Sequence, residues 1–383
     1  MPISATTSQA TSPNLHAPTA HRGGAAFVPP RRARRRGQVP TPSLFPTGPC
    51  HRDPEPATFA TGPAAGLVGI ARLAAASPRA EAKRGTEYFL LPVRSILNHC
   101  DSDRVPFAWT VNPYRGCEFG CRYCYARYTH EYMELDGGEF ERKIYVKQNA
   151  GALAARDLAT ENVWGEHIAI GTATDPYQPA EREFGTTRAI LEQMAEREGL
   201  SLSITTKSNQ VVRDMDVLQR IAARSSLFIN ITITTLRPRL ARLLEPRAPR
   251  PDLRLAAVHA LHEAGLAAGV FSMPVLPGLT DREEDLEAIA RAAKEAGAQW
   301  FTAGVVFLMP SSLKQFLPFL EEKFPRLARQ YREWYARSGY APDSYRREIA
   351  ERVARLRAKY GLGSRPYEPD RLAWRSPQLA LNL

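Results

Sequence analysis

The feature that most restricts the fold is a unit repeated six times: a short β-rich run followed by an amphipathic helical pattern. The runs are "FAWTVNPYRG" (107–116), "EHIAIGTAT" (166–174), "SLSITTKS" (201–208), "SLFINITITT" (226–235), "AAGVFSMPVLPG" (267–278) and "QWFTAGVVFL" (299–308). They are short, apolar and β-branched, as strands covered on both faces should be. Helical patterns such as "RDMDVLQRIAAR" and "REEDLEAIARAAKEAG" separate them. Strict strand–helix alternation predicts an α/β fold with a parallel sheet. Gly199, Gly265 and Gly297 fall where left-handed helix caps are expected. Six units are too few for a closed eight-stranded barrel, which leaves an open partial barrel or a doubly wound sheet. "EYFLLPVRSIL" reads as a lead-in strand or short helix, and residues 326–360 read as charged helices.

Residues 1–84 have a different texture. They are rich in Pro, Ala, Thr and Arg, and they hold 11 Lys and Arg against 3 Asp and Glu. Most of the net charge of +11 therefore sits there, so the high pI says little about the folded part. Without apolar periodicity such a segment is expected to be a disordered basic tail, either solvated or tethering nucleic acid nonspecifically. The expected division is a tail at 1–84, a core domain at 85–310 and a helical extension at 311–383. No stretch of about 18 apolar residues exists and the first residues carry no apolar signal core. A cytoplasmic protein with reduced thiols, free to bind metal, is expected.

Three of the five cysteines, Cys117, Cys121 and Cys124, form C-x3-C-x2-C directly after the first run. A structural zinc site wants four ligands, and His130 is the nearby fourth. A dithiol pair would use Cys121 and Cys124 and leave Cys117 unexplained. Haem attachment is excluded because Tyr125, not His, follows Cys124. Three unligated buried cysteines are the bland alternative. A [4Fe–4S] cluster on three thiolates uses all of them and leaves one iron open.

With Tyr123 between the last two cysteines, the motif resembles that of the radical SAM superfamily. "NPYRGCEFGCRYCYAR", "TATDPYQPAE" (172–181), "ITTKS" (204–208), "LEPRAPRPDLRLAAVHALHEAG" (244–265) and "MPVLPGLTD" (273–281) recur in order as in its spore photoproduct lyase-like branch, over about residues 90–310. The resemblance implies a partial (β/α)6 barrel, a [4Fe–4S] cluster on Cys117, Cys121 and Cys124, and S-adenosylmethionine (SAM) on the open iron. It also implies reductive cleavage of SAM to a 5′-deoxyadenosyl radical. The further partners implied are a one-electron donor such as flavodoxin or ferredoxin and, through the family label, a nucleic-acid base or lesion as substrate. The alternative is a noncatalytic iron–sulfur protein for electron transfer or nucleic-acid binding.

Polar residues at the strands' C-terminal ends are the other candidates, because loops and helix N-termini converge there. By resemblance Tyr123 sits beside the adenine, and Thr174 and Asp175 meet the methionine amino group. An Asx-turn before "DPYQP" is the competing reading for Asp175. Lys207, with Ser208, suits the SAM carboxylate, since a charge ending a buried strand is hard to explain as core. Thr234, like Thr232, is a candidate for the ribose or carboxylate, with β-branched packing as the alternative. Glu181 either joins a network there or faces solvent, and Glu245 pairs with arginines. The branch's lyase uses an additional active-site cysteine to return a hydrogen atom to thymine, but no cysteine follows Cys124 here. Tyr177 is the nearest substitute donor and the candidate catalytic residue. Efficient repair of the spore thymine dimer is therefore not expected.

Overall fold

The computed structural model describes residues 66–364, apart from Arg84, Asp103, Arg104 and Asn162. Its strands in chain order are β1 (Arg79–Lys83), β2 (Thr86–Leu91), β3 (Leu97–His99), β4 (Trp109–Val111), β5 (Tyr114–Arg115), β6 (Lys143–Lys147), β7 (His167–Ile170), β8 (Ser201–Thr206), β9 (Ser226–Thr232), β10 (Ala268–Val275) and β11 (Phe301–Val305). Seven of them form one sheet in the order β11-β10-β9-β8-β7-β4-β3. The six strands from β4 to β11 in that sheet are parallel, and β3 is an antiparallel edge. The sheet does not close, since β11 and β3 are its two ends. This is the partial (β/α)6 barrel that the resemblance implies.

The strands are not covered alike on both faces. In β8, "SLSITT", Leu202, Ile204 and Thr206 are buried while Ser201, Ser203 and Thr205 are half-buried. Leu202 and Ile204 join the main core beneath the helices Thr186–Ala195 and Met215–Ala222, where Ile190, Leu191, Val217, Leu218 and Ile221 are buried. Ser203 and Thr205 instead face a cavity on the inner side. The period-2 alternation of apolar and small polar residues thus separates core from lumen.

A four-stranded side sheet, β1-β2-β6-β5, was not anticipated. β2 is the lead-in run; it pairs with β6 in parallel and with β1 antiparallel. The boundary expected at residue 84 is accordingly too late. The helix Gly69–Ala76 and β1 precede it, and Ala71 and Ala74 are buried. Residues 1–65 of the expected tail, and 365–383 of the extension, lie outside the described residues.

The C-terminal helices are not peripheral to the core. Phe316, Phe319, Leu320, Ala328, Tyr331 and Tyr335 pack in one cluster with Cys117, Phe119, Cys121 and Tyr123. Ile349, Val353 and Leu356 of the helix Asp343–Tyr360 join the main core. Among the described residues no helix is long and apolar enough to cross a membrane.

Candidate cofactor site

The cysteine loop leaves the end of β5 through Gly116, whose φ of +85° favours glycine. A Cβ there would come within 2.8 Å of the carbonyl oxygens of Lys143 and Phe140, so backbone packs directly on backbone. The loop is held by buried polar groups. Arg127, 1% exposed, donates to the Cys121 carbonyl at 3.2 Å, to the Gly137 carbonyl at 2.9 Å and to Glu141 at 2.6 Å. Glu118 accepts from the Tyr88 hydroxyl at 3.0 Å and from Ala180 N–H at 2.7 Å. Burial raises its pKa, and those hydrogen bonds work against the rise.

Gln178 ties this loop to the one after β7. Its amide oxygen accepts from Glu118 N–H at 2.9 Å, and its nitrogen donates to the Gly116 carbonyl at 3.1 Å and to Thr174 Oγ1 at 2.9 Å. Thr174 Oγ1 itself donates to the Gly116 carbonyl at 2.6 Å. At the end of β7, Gly171 has φ +87°, and a Cβ there would meet the Thr205 carbonyl at 2.6 Å.

These loops enclose a cavity of about 530 Å³ at the C-terminal ends of the strands. Cys117, Cys121, Cys124, Tyr123, Thr174, Asp175 and Lys207 all line it. The three cysteines are free thiols, and burial raises the pKa of each, that of Cys121 to about 12 despite Lys207 nearby. Cys100, also free, is not among the lining residues. No three His, Cys, Asp or Glu side chains among the described residues converge as a site for one metal ion. Three free thiols lining one cavity suit a cluster, in which each thiolate takes a different iron. His130, the zinc reading's fourth ligand, is fully buried between Phe140 and Tyr145 with Nε2 2.9 Å from the Lys143 carbonyl. Burial lowers its pKa to about 4, and it serves packing.

Asp175 accepts from Thr206 Oγ1 at 2.6 Å, Lys207 N–H at 2.7 Å and Tyr177 N–H at 2.9 Å. The last bond is the Asx-turn, so the carboxylate shapes the loop while lining the cavity. Burial would push Lys207 down, but the Cys121 sulfur and the Glu245 carboxylate outweigh it and hold the ammonium above its ordinary value. Lys207 Nζ lies 5.9 Å from the centre of the Tyr123 ring. Glu245 is buried as well; Arg254 at 2.5 Å, Lys207, Tyr123 and Thr234 overcome that burial and bring it to about 2.

Three candidates fall elsewhere. Ser208 is fully buried, does not line the cavity, and caps the following turn by accepting from Gln210 N–H at 3.2 Å. The Thr234 hydroxyl is spent between Tyr123 at 3.0 Å and Glu245 at 2.8 Å, beneath the cavity wall. Tyr177 is the clearest correction. It is fully buried in the main core among the helices and does not line the cavity, so its phenol cannot meet a substrate there. Glu181 joins a buried network, accepting from Tyr114 at 2.5 Å, Thr187 N–H at 2.7 Å and Arg213 at 2.8 Å. The sequence reading overlooked Gln178 and Arg127. Gln178 stands inside the quoted "DPYQP" segment, but only its partners reveal what it does.

Residues 111–293 match the model of the radical SAM superfamily. An uncharacterized protein of Mycobacterium tuberculosis is 36% identical over 307 residues, 79% of this chain and 89% of that one. Another, from Methanocaldococcus jannaschii, is 30% identical over 223 residues, 58% and 79% of the two chains. Among solved structures, spore photoproduct lyase complexed with dinucleoside spore photoproduct aligns with a TM-score of 0.54 at 16% identity, covering 80% of this chain and 86% of that one. A mutant of that lyase with bound AdoMet and the same dinucleoside aligns at 0.53 and 16%, with the same coverage. Residues 111–293 of this chain are thus a radical SAM domain.

Proposed function

We propose that this radical SAM enzyme acts on a nucleic-acid base or lesion held in the cavity beside SAM. The observation that carries the reading is one open-mouthed cavity lined at once by three free cysteines, by Lys207 and by the strand ends. Cys117, Cys121 and Cys124 would hold the [4Fe–4S] cluster. When bound, the cluster supplies the electron that cleaves SAM to a 5′-deoxyadenosyl radical. Lys207 would pair with the SAM carboxylate, its charge sustained by Glu245. Tyr123, fixed through its hydroxyl to Glu245 and Thr234, would present its ring to the adenine. Asp175 sets the course of the backbone from Thr174 to Lys207 and so the position of both side chains. Phe107, Phe228, Phe271 and Met273 add apolar lining to the same cavity, which would help keep water from reactive species.

The substrate class is supported by the dinucleoside bound to the structurally similar lyase. The electron donor is proposed to be of flavodoxin or ferredoxin type. A noncatalytic iron–sulfur protein would account for the cysteines but leaves both the cavity and Lys207 unexplained. The reading is tested by electron paramagnetic resonance of the anaerobically reconstituted, reduced protein. Added SAM should shift the cluster signal in wild type and should do so only at much higher concentration in Lys207→Ala. A cluster signal indifferent to SAM would reject it.

A further inference from the structure

The cofactor reading makes no use of an aromatic strip at the cavity's edge. Tyr125, Tyr128 and Tyr132 lie three and four residues apart on consecutive helical turns, so they share one face. The Tyr125 and Tyr128 rings are 6.4 Å apart and near parallel, and Tyr128 meets Tyr132 edge-on at 5.3 Å. In the other direction Tyr125 meets Phe307 at 6.4 Å, and Phe307 meets Tyr340 at 4.6 Å. Tyr125 and Phe307 both line the cavity, so the strip passes along its opening. Tyr132 is 65% exposed and Tyr125 40% exposed. The Tyr125 hydroxyl is anchored on the Thr172 carbonyl, which fixes the ring in place.

Cations stand toward both ends. The Arg346 guanidinium lies 5.1 Å from the centre of the Tyr340 ring, although it also pairs with Asp343. Half-buried Arg115 is close enough to Tyr128 for their charges to interact. Aromatic rings in series, exposed at Tyr125 and Tyr132 and half-buried at Tyr128 and Phe307, with cations beside them and a cavity adjoining, supply the two elements of single-strand recognition: stacking platforms for unpaired bases and positive charge for the phosphates. Paired bases offer no free faces to such a strip.

We propose that Tyr132, Tyr128, Tyr125 and Phe307 form a track for single-stranded nucleic acid, on which bases flanking the reacting one stack while that base enters the cavity. This rests on the nucleobase reading above and specifies how the substrate is presented. The test is fluorescence anisotropy on the anaerobically reconstituted full chain, using labelled oligothymidylate of about ten nucleotides, alone and annealed to oligoadenylate. The strand should bind at least about tenfold more tightly than the duplex, and the double variant Tyr128→Ala, Tyr132→Ala should lose about tenfold or more for the strand. Iron content and SAM affinity of that variant should match wild type, which excludes misfolding. Equal affinity for strand and duplex, full retention in the double variant, or no binding of either overturns the proposal. So does tighter binding of a tryptophan-rich tetrapeptide than of the strand, which would make the track a peptide site. Release of 5′-deoxyadenosine reports separately on the radical chemistry: a protein that forms it yet ignores the strand fails here alone.

Discussion

At Lys207 burial works against the ammonium, and the nearby Cys121 sulfur and Glu245 carboxylate more than offset it. If that charge meets the SAM carboxylate, Lys207→Ala should cost roughly 1.5–3 kcal/mol of SAM binding, about tenfold to a hundredfold, with the cluster intact. Titration calorimetry that finds unchanged affinity would show that the ammonium serves Glu245 instead. The cysteines separate in the same way. Cys121→Ala should remove most of the iron after anaerobic reconstitution, and Cys100→Ala should remove none, since only the former lines the cavity. The motif residues were legible because their spacing is the chemistry. Ser208, Thr234 and Tyr177 lie off the cavity lining, because a position near a strand's end does not say to which side of the turn a side chain points. Gln178 and Arg127 escaped notice because a buried polar residue is defined by partners outside its own motif, Gln178 by Gly116 and Glu118 in the distant cysteine loop, Arg127 by Gly137 and Glu141 in the segment that follows it.

At the scale of elements, the six parallel strands could be read from alternation because each is followed by its own covering helix. The side sheet could not, since β2 and β6 pair across more than fifty residues and the helix after β6, Ala150–Thr160, packs into the main core instead. β6 carries a testable oddity. Lys147 at its end is 5% exposed, and burial, reinforced by Arg115, lowers its pKa to about 7. The unfolded lysine titrates near 10.4. Between those values the unfolded chain binds the extra proton, so this residue makes stability rise with pH by up to about 1.4 kcal/mol per unit. Below about pH 7 both states are protonated and the penalty is fully present. Lys147→Met should therefore be more stable than wild type at pH 7, and the gap should shrink toward pH 9 in urea unfolding of the apoprotein. A gap that is constant with pH would mean that Lys147 is charged in the folded state throughout.

For the molecule as a whole, the core extends past both boundaries expected from the sequence. Truncation after residue 85 removes β1 and the helix bearing Ala71 and Ala74, and it should lower the melting temperature by several degrees, whereas a cut at residue 65 spares both. A cut at 85 that left the melting temperature unchanged would show that neither element contributes to stability. The cavity also limits which reactions can be completed. Among the described residues it contains no thiol beyond the three cysteines of the loop, and Tyr177 is sealed from it. Anaerobic turnover with dinucleotide spore photoproduct should thus yield little thymine, and clean multiple turnovers would reveal a hydrogen donor not recognised among these residues. The central claim, that the three cysteines and the cavity make this chain a SAM-cleaving enzyme, is tested most directly by product analysis after anaerobic incubation of the reconstituted protein with dithionite and SAM. Release of 5′-deoxyadenosine by wild type and its loss in Cys121→Ala is the predicted result. A cluster-loaded wild type that releases none, or a Cys121→Ala variant that releases as much, would contradict it.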